Sequence, residues 1–408
     1  MKNSAPPARL LDLTRLISRA GRVATGVDRV ELAYLDYLMQ RPDPLFAVVR
    51  TTLGFVLLDR KGVMAVQKRL SGQVNWGMPD RLSRLARSKS PEVRRAESDL
   101  RRHALDRCLP RGLFKMLARH LPKGSAYLNV GHSNLTDRMF QSVRHGLGGR
   151  TAIMIHDVIP LEFPQFQRPG TPEKFRQMLK RVRAQANVVI YNTSDTRDRA
   201  ERYMEQWGPP PKGVVAHLGV NVGETEPEAL PAGLIPSEPY FVTLGTIEPR
   251  KGHDMLLDIW ENWENGSVAP GLLICGSRGW NNDAVFARLD ALPKGGPIRE
   301  LQGLEDGAIA ALLKGSSGLL CPSHAEGFGL PAAEAAALGV PVVCSDLPAF
   351  REVLGDYAVY AAETDRYQWR NRIQSLIKGR GEREKAGKGA EFIAPTWADH
   401  FNTVLKYT

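Results

Sequence analysis

The sequence predicts an α/β protein built from two doubly wound, Rossmann-like sheets. Three observations carry this. Apolar runs of strand length alternate with helical patterns over 46–221 and again over 240–346, the order expected of parallel sheets covered on both faces. A Pro- and Glu-rich stretch, ETEPEALPAGLIPSEP (224–239), separates the two series and reads as a linker. A chain of 408 residues exceeds one ordinary core and divides into about two domains.

In the first series, FAVVRTT (46–52) and GFVLLD (54–59) are adjacent strands joined at Gly54. SAYLNVG (125–131) is a strand ending in the turn GHSN, and RTAIMIHD (150–157) is a buried strand with polar residues at its end. ANVVIYNTS (186–194) leads into a helix starting near Ser194 or Asp195, both good N-caps. GVVAHLGVN (213–221) closes the series. The second series opens with the strand YFVTLG (240–245) and the helix HDMLLDIWENW (253–263). The strand GLLICG (271–276) and the helix DAVFARLDAL (283–292) follow. IRELQG (298–303), GAIAALLKG (307–315), GLLCP (318–322) and VPVVCSD (340–346) complete the sheet. TWADHFNTVLKY (396–407) is a terminal helix capped by Thr396.

Composition narrows the function classes. Hydrophobic residues at 43% and charged residues at 24% describe a soluble globular protein. No apolar run approaches the ~20 residues that span a bilayer. The N-terminal stretch is short of apolar residues and interrupted by charge, so no signal peptide is expected. Cys108, Cys275, Cys321 and Cys344 form no C-x-x-C pair and read as buried free thiols of a reducing cytoplasm. Neither an H-E-x-x-H motif nor a clustered Asp-x-Asp motif occurs, so no metal site and no cofactor is expected.

The net charge of +11 is uneven: residues 81–123 hold thirteen Lys or Arg against four acids, with leucines interleaved at loosely helical spacing. Such a segment suits an anionic membrane surface or nucleic acid, or is a solvated face.

The chemistry centres on SHAEGFGLPAAEAAALGVPVVCSD (323–346). Glu326 precedes a Gly-Phe-Gly turn, and Glu334 lies in an Ala-rich run that starts at Pro331 and stops at Gly339. Strands flank the run, giving a βαβ unit. In open α/β sheets, ligands bind outside the carboxyl ends of strands, where helix N-termini point. Glu326, Gly327, Phe328 and Gly329 sit there, with Glu334 one turn into the helix.

These residues resemble the donor-binding signature of retaining glycosyltransferases of family 4, the glycosyl transferases group 1, which have the GT-B fold. The likeness is close over 240–355, recognisable over 20–30, 125–165 and 186–222, and absent over 60–123. It implies two Rossmann-like domains facing a cleft. An acceptor-side domain would span 1–223, with the basic insertion near 60–123. The linker 224–239, a nucleotide-sugar domain (240–385) and a helix crossing back (386–408) would follow.

The resemblance assigns Glu334 to the donor ribose and Glu326 to the transferred sugar. Backbone N–H groups of Gly327, Phe328, Gly329 and Leu330 would face sugar or phosphate. LGTIEPRKGHDMLL (244–257) resembles the phosphate clamp, with Arg250 and Lys251 on the diphosphate. Many relatives carry Gly-Arg at the strand end. This chain has Gly245–Thr246, so Arg250 would stand in for that arginine. TGVDRVELAYL (25–35) resembles the glycine loop, with Gly26 near the diphosphate or acceptor. His156 matches the histidine near sugar and leaving phosphate. Asp157 would orient that imidazole or cap its turn, and His132 is a further cleft-side candidate. Gly276 and Leu304 match positions that contact the base, mostly through backbone, so uracil, guanine and adenine stay open.

The implied activity is metal-independent, retaining transfer of a sugar from a nucleotide diphosphate sugar to a hydroxyl. The acceptor would be a glycolipid, lipid-linked oligosaccharide or polysaccharide, and the enzyme peripheral on the inner, cytoplasmic face of a membrane. A sugar-nucleotide epimerase or a phosphorylase on the same fold is the alternative. A nucleic-acid-binding protein using 81–123 is disfavoured, because Phe114 is the only aromatic there.

Overall fold

The computed structural model describes residues 5–231, 233–234, 239–263, 268–386 and 391–408. Parts of the expected linker (232, 235–238) and of the expected C-terminal segment (387–390) lie outside the described residues.

Eight strands make the first sheet: β1 (Arg9–Asp12), β2 (Leu45–Thr51), β3 (Gly54–Leu58), β4 (Asp106–Cys108), β5 (Ala126–Asn129), β6 (Thr151–Ile155), β7 (Val188–Tyr191) and β8 (Lys212–Val215). Their order is β4-β3-β2-β1-β5-β6-β7-β8. The expectation of a wholly parallel sheet is corrected at one edge, where β3 runs antiparallel to β2 and to β4. The link between β2 and β3 is too short for a crossover helix, so only a hairpin is possible. β1 escaped the sequence reading: it is four residues long, RLLD, and buried throughout.

The second sheet contains β9 (Tyr240–Leu244), β10 (Gly271–Cys275), β11 (Ile298–Leu301), β12 (Gly318–Cys321), β13 (Val342–Ser345) and β14 (Val359–Ala361). All pairings are parallel, in the order β11-β10-β9-β12-β13-β14. The chain starts in the middle, builds outward, then returns to the other side of β9. This creates a topological switch point between β9 and β12, where an open α/β sheet leaves a crevice. The first sheet has the same device between β1 and β5.

The two sheets share packing. One buried cluster runs from Leu11, Tyr34 and Leu35 on the side of the first sheet to Val242, Phe328 and Ala332 on the side of the second, with Leu11 and Val242 in the sheets themselves. The helix Trp397–Val404 is capped by Thr396, whose hydroxyl accepts from Asp399 N at 3.1 Å. It packs back on the helix Gly26–Gln40. Phe401 stacks on Tyr37 with ring centroids 3.8 Å apart, and His400 Nε2 bonds the Tyr34 hydroxyl at 2.7 Å.

The basic segment is not one surface. Val93, Ala96 and Leu100 of the helix Pro91–Arg102 pack with Val56 and Leu58 on one face of β3. Leu113, Met116 and Leu117 of the helix Leu113–His120 pack with Phe55 and Leu57 on the other. Because strand side chains alternate, the two halves lie on opposite faces of the sheet. Among the described residues, no helix is long and apolar enough to cross a membrane.

Candidate active site

Glu326 sits in the loop after β12, and Lys251 and Arg250 in the loop after β9, so the switch point brings them together. Lys251 Nζ donates to Glu326 Oε1 at 2.5 Å, and Arg250 Nη1 lies 3.1 Å from Oε2. The Ser323 hydroxyl donates to Oε1 at 2.8 Å. Glu326 is buried. Burial alone would favour the protonated acid, but the facing charges of Lys251 and Arg250, with the hydrogen bonds from Lys251 and Ser323, hold the carboxyl down at about 2. Glu248 takes Arg250 Nε at 2.7 Å. The Arg250 side chain keeps 21% exposure; desolvation would lower its pKa, yet the charges of Glu326, Glu248 and Asp157 raise it above the ordinary arginine value.

The helix Leu330–Ala337 begins just beyond, with Pro331 in its first turn. Its stop is a Schellman arrangement: Val340 N bonds Ala335 O and Gly339 N bonds Ala336 O, both at 2.9 Å, with Gly339 at φ 73°. Glu334 projects from this helix toward the first domain. There Arg29 Nη1 donates to its Oε1 at 2.6 Å, while Nη2 of the same guanidinium pairs with Asp306. Burial raises the Glu334 carboxyl to about 7, against the pull of Arg29 and with a push from Asp306. Neither Arg29 nor Asp306 was read from the sequence. Arg29 is the arginine of TGVDRVE, and its partner lies 305 positions away.

The Gly-Phe-Gly turn is held between the domains. A Cβ on Gly327 would fall 2.1 Å from His156 O, so only glycine fits there. The Thr193 and Thr196 hydroxyls donate to Gly327 O at 3.0 and 3.2 Å. The expected N-cap at Ser194 or Asp195 is corrected to Thr193, whose hydroxyl accepts from Thr196 N at 3.0 Å. The amides of Ser194 and Asp195 point instead at the Glu352 carboxylate, at 2.7 and 3.1 Å. A carboxylate of the second domain thus completes a helix N-terminus of the first.

His156 is buried and its Nε2 donates to Val130 O at 2.6 Å. His132, at φ 60°, donates from Nε2 to Met154 O at 2.8 Å, with ring centroids 5.0 Å apart. A carbonyl only accepts, so both rings carry their proton on Nε2. Burial pushes His156 down to about 4 and His132 down to about 3, so both are neutral at pH 7. Asp157 Oδ1 accepts from Ile159 N at 3.1 Å, which makes it the cap of its turn; its hydrogen bond goes there and not to the imidazole. Burial raises its carboxyl.

The remaining candidates separate by place. Gly245 and Thr246 follow β9, with Gly245 beside the Lys251 side chain, and Gly276 follows β10 directly alongside. Gly26 opens its helix opposite Leu330, whose Cδ1 is 3.6 Å from where a Gly26 Cβ would lie. The Phe328 ring is buried against His217, with centroids 6.0 Å apart, so only its backbone is offered to a ligand. Leu304 packs on the core beside the second sheet. Trp280 Nε1 donates to Phe166 O at 2.9 Å, so the loop after β10 also touches the first domain. Among the described residues, no group of three His, Cys, Asp or Glu could hold a metal ion.

Comparisons with known proteins bear on the fold and on the second half of the chain. Residues 227–391 match the family model of glycosyl transferases group 1. Serotype-specific mannosyltransferase WbdA of Escherichia coli is 31% identical over 229 residues, which are 52% of this chain and 28% of that protein. O-antigen chain mannosyltransferase B of Escherichia coli is 36% identical over 128 residues, 31% of this chain and 33% of that one. The chain thus spans about a third or less of these relatives' lengths. Anabaena Alr3699/HepE, solved with UDP and glucose, superposes with TM-score 0.61 at 13% identity, over 98% of this chain and 94% of that one. The trehalose-6-phosphate enzyme of E. coli bound with UDP-2-fluoro glucose gives TM-score 0.56 at 14% identity, over 98% and 99%. The fold is GT-B.

Replacing Gly327 by Ala forces the turn off the His156 carbonyl. Overpacking of this kind costs about 1–3 kcal/mol, so the melting temperature should fall. A melting curve that matches the native protein would mean that the turn does not bear on His156.

Proposed function

We propose that this protein is a retaining, metal-independent glycosyltransferase. It moves a hexose from a nucleoside diphosphate to a hydroxyl of a lipid-carried or polysaccharide glycan. The observation that carries the reading is the cluster of Glu326, Lys251 and Arg250 at the switch point of the second sheet. A donor diphosphate would draw Lys251 and Arg250 onto its oxygens and leave Glu326 to accept hydrogen bonds from sugar hydroxyls. Glu334 would take the two ribose hydroxyls in place of Arg29. The two relatives described above are named mannosyltransferases, which makes mannose the sugar to try first.

In the step itself, the bond from the anomeric carbon to the diphosphate oxygen breaks, and its electron pair leaves with the diphosphate. Lys251 and Arg250 stabilise the charge that develops there. The acceptor oxygen bonds to the anomeric carbon on the same face, and its proton passes to a phosphate oxygen. Neutral His156 supplies no charge at pH 7; its unprotonated Nδ1 can accept a hydrogen bond from the sugar. The two domains position donor and acceptor and exclude water. The exposed cations of the first domain and the O-antigen names of relatives support a peripheral place on the inner face of a membrane.

Lys251→Ala should weaken diphosphate binding about tenfold to a hundredfold, the loss of one charge-assisted hydrogen bond, and turnover should fall with it. Nucleoside binding should stay unchanged. Calorimetric titration of nucleoside and diphosphate separates the two, and an equal loss for both would remove Lys251 from the phosphates.

Glu334 gives a pH test. Its folded carboxyl titrates near 7, and only the ionised form can accept two hydroxyls. Nucleoside affinity should therefore fall as pH drops below about 7 and level off above it. Glu334→Gln should bind weakly at every pH. A native affinity that is flat from pH 5.5 to 8.5 would take Glu334 off the ribose.

A further inference from the structure

The segment Arg81–Ala86 is a 3-10 helix with three residues per turn, and its sequence, RLSRLA, repeats with that period. Residues three apart eclipse each other. Ser83 and Ala86 form the buried edge, Leu82 and Leu85 an exposed apolar edge, and Arg81 and Arg84 an exposed basic edge. Just upstream, Val74 and Met78 are also exposed, Met78 by 73% and Leu85 by 67%. Four large exposed apolar side chains thus fall within twelve residues.

The segment is held rigidly in this attitude. Asp80 caps the 3-10 helix through Ser83 N at 2.8 Å and accepts a fork from Arg101 Nε and Nη2 at 2.6 and 2.7 Å. Asp99 accepts from Gly77 N at 2.8 Å, Arg69 Nε at 2.6 Å and Arg102 Nη1 at 2.5 Å. Asp80 N donates to Ser98 Oγ at 3.0 Å. The charges of Asp80 and Asp99 are thus taken up by Arg101, Arg69 and Arg102, of which Arg101 and Arg69 are mostly buried and Arg102 is 42% exposed. Arg81, Arg84, Arg87, Lys89 and Arg95 are exposed and enter no ion pair among the described residues.

We propose that residues 74–95 are a docking surface for an anionic lipid bilayer. The apolar side chains sink among the acyl chains, and the free cations hold headgroup phosphates. A bilayer interface presents apolar and anionic surface together, which matches the two exposed edges. The helix Leu113–His120, on the opposite face of the sheet, takes no part. This deepens the membrane part of the proposed function and rests on it.

The test is co-sedimentation at 0.15 M salt, a concentration that screens bare charge but not apolar insertion. Vesicles of phosphatidylglycerol with phosphatidylcholine are compared with phosphatidylcholine alone. The native protein should bind the anionic vesicles. The double variant Leu82→Ser/Leu85→Ser should lose at least tenfold in partition, and Arg81→Glu/Arg84→Glu should not bind. Arg111→Glu/Lys115→Glu, on the opposite face, should bind like the native protein. All these side chains are exposed, so melting temperatures should stay native, as should transfer to a soluble acceptor analogue. If the 111/115 pair abolishes binding and the 81–85 variants do not, the membrane reading stands and this surface is wrong. If the native protein ignores vesicles but retains single-stranded DNA, both are wrong.

Discussion

The structure depends on a carboxylate and two cations gathered in one place with little water. The side chains of Glu326 and Lys251 are only 9% and 12% exposed, and Arg250 stands against the same carboxylate. Removing one partner from such a group leaves an uncompensated buried charge. The loops after β9 and β12 are therefore tied to each other electrostatically. Their strands are also neighbours in the sheet. Topology delivers the loops to one crevice, and charge holds them there. The same cations are the groups that a diphosphate would claim, so the contact that steadies the loops is also the one that a donor would exchange.

The second constraint is that the donor-side turn belongs to both domains. Gly327 touches the His156 carbonyl, and its own carbonyl is held by Thr193 and Thr196. Glu352 completes the N-terminus of the helix Ser194–Glu205, and Arg29 reaches Glu334. Relative movement of the domains would have to break these contacts. A ligand that replaces them has the leverage to set the cleft's opening.

Much of this was legible in the sequence because the second sheet announces itself locally. GFGLP, the Ala-rich helix and Gly339 are adjacent in the chain, and their spacing alone marks a strand, turn and helix. Lys251 and Arg250 became candidates through the likeness of LGTIEPRKGHDMLL to a phosphate clamp, and their place just after a strand is what the sequence itself shows. Three kinds of feature stayed hidden. β1, β4 and β14 are too short to show a period, so the second sheet runs one strand beyond the VPVVCSD segment expected to complete it. Arg29, Glu352 and Thr193 act across the domain boundary, on partners more than a hundred positions away. The basic segment carries a period of three, which looks irregular when scanned at 3.6, and β4 divides it between two faces.

The most direct measurement is thermal denaturation in excess chelator with nucleoside diphosphates of uracil, guanine, adenine and thymine, each beside its nucleoside. Only a ligand that prefers the folded state raises the transition, and at a fixed concentration a tighter ligand raises it more. One diphosphate should stabilise the protein clearly and its nucleoside far less, because Lys251 and Arg250 answer only to phosphate. If no diphosphate shifts the transition, or the shift appears only when a divalent metal is restored, the cluster around Glu326 is not a metal-free donor site.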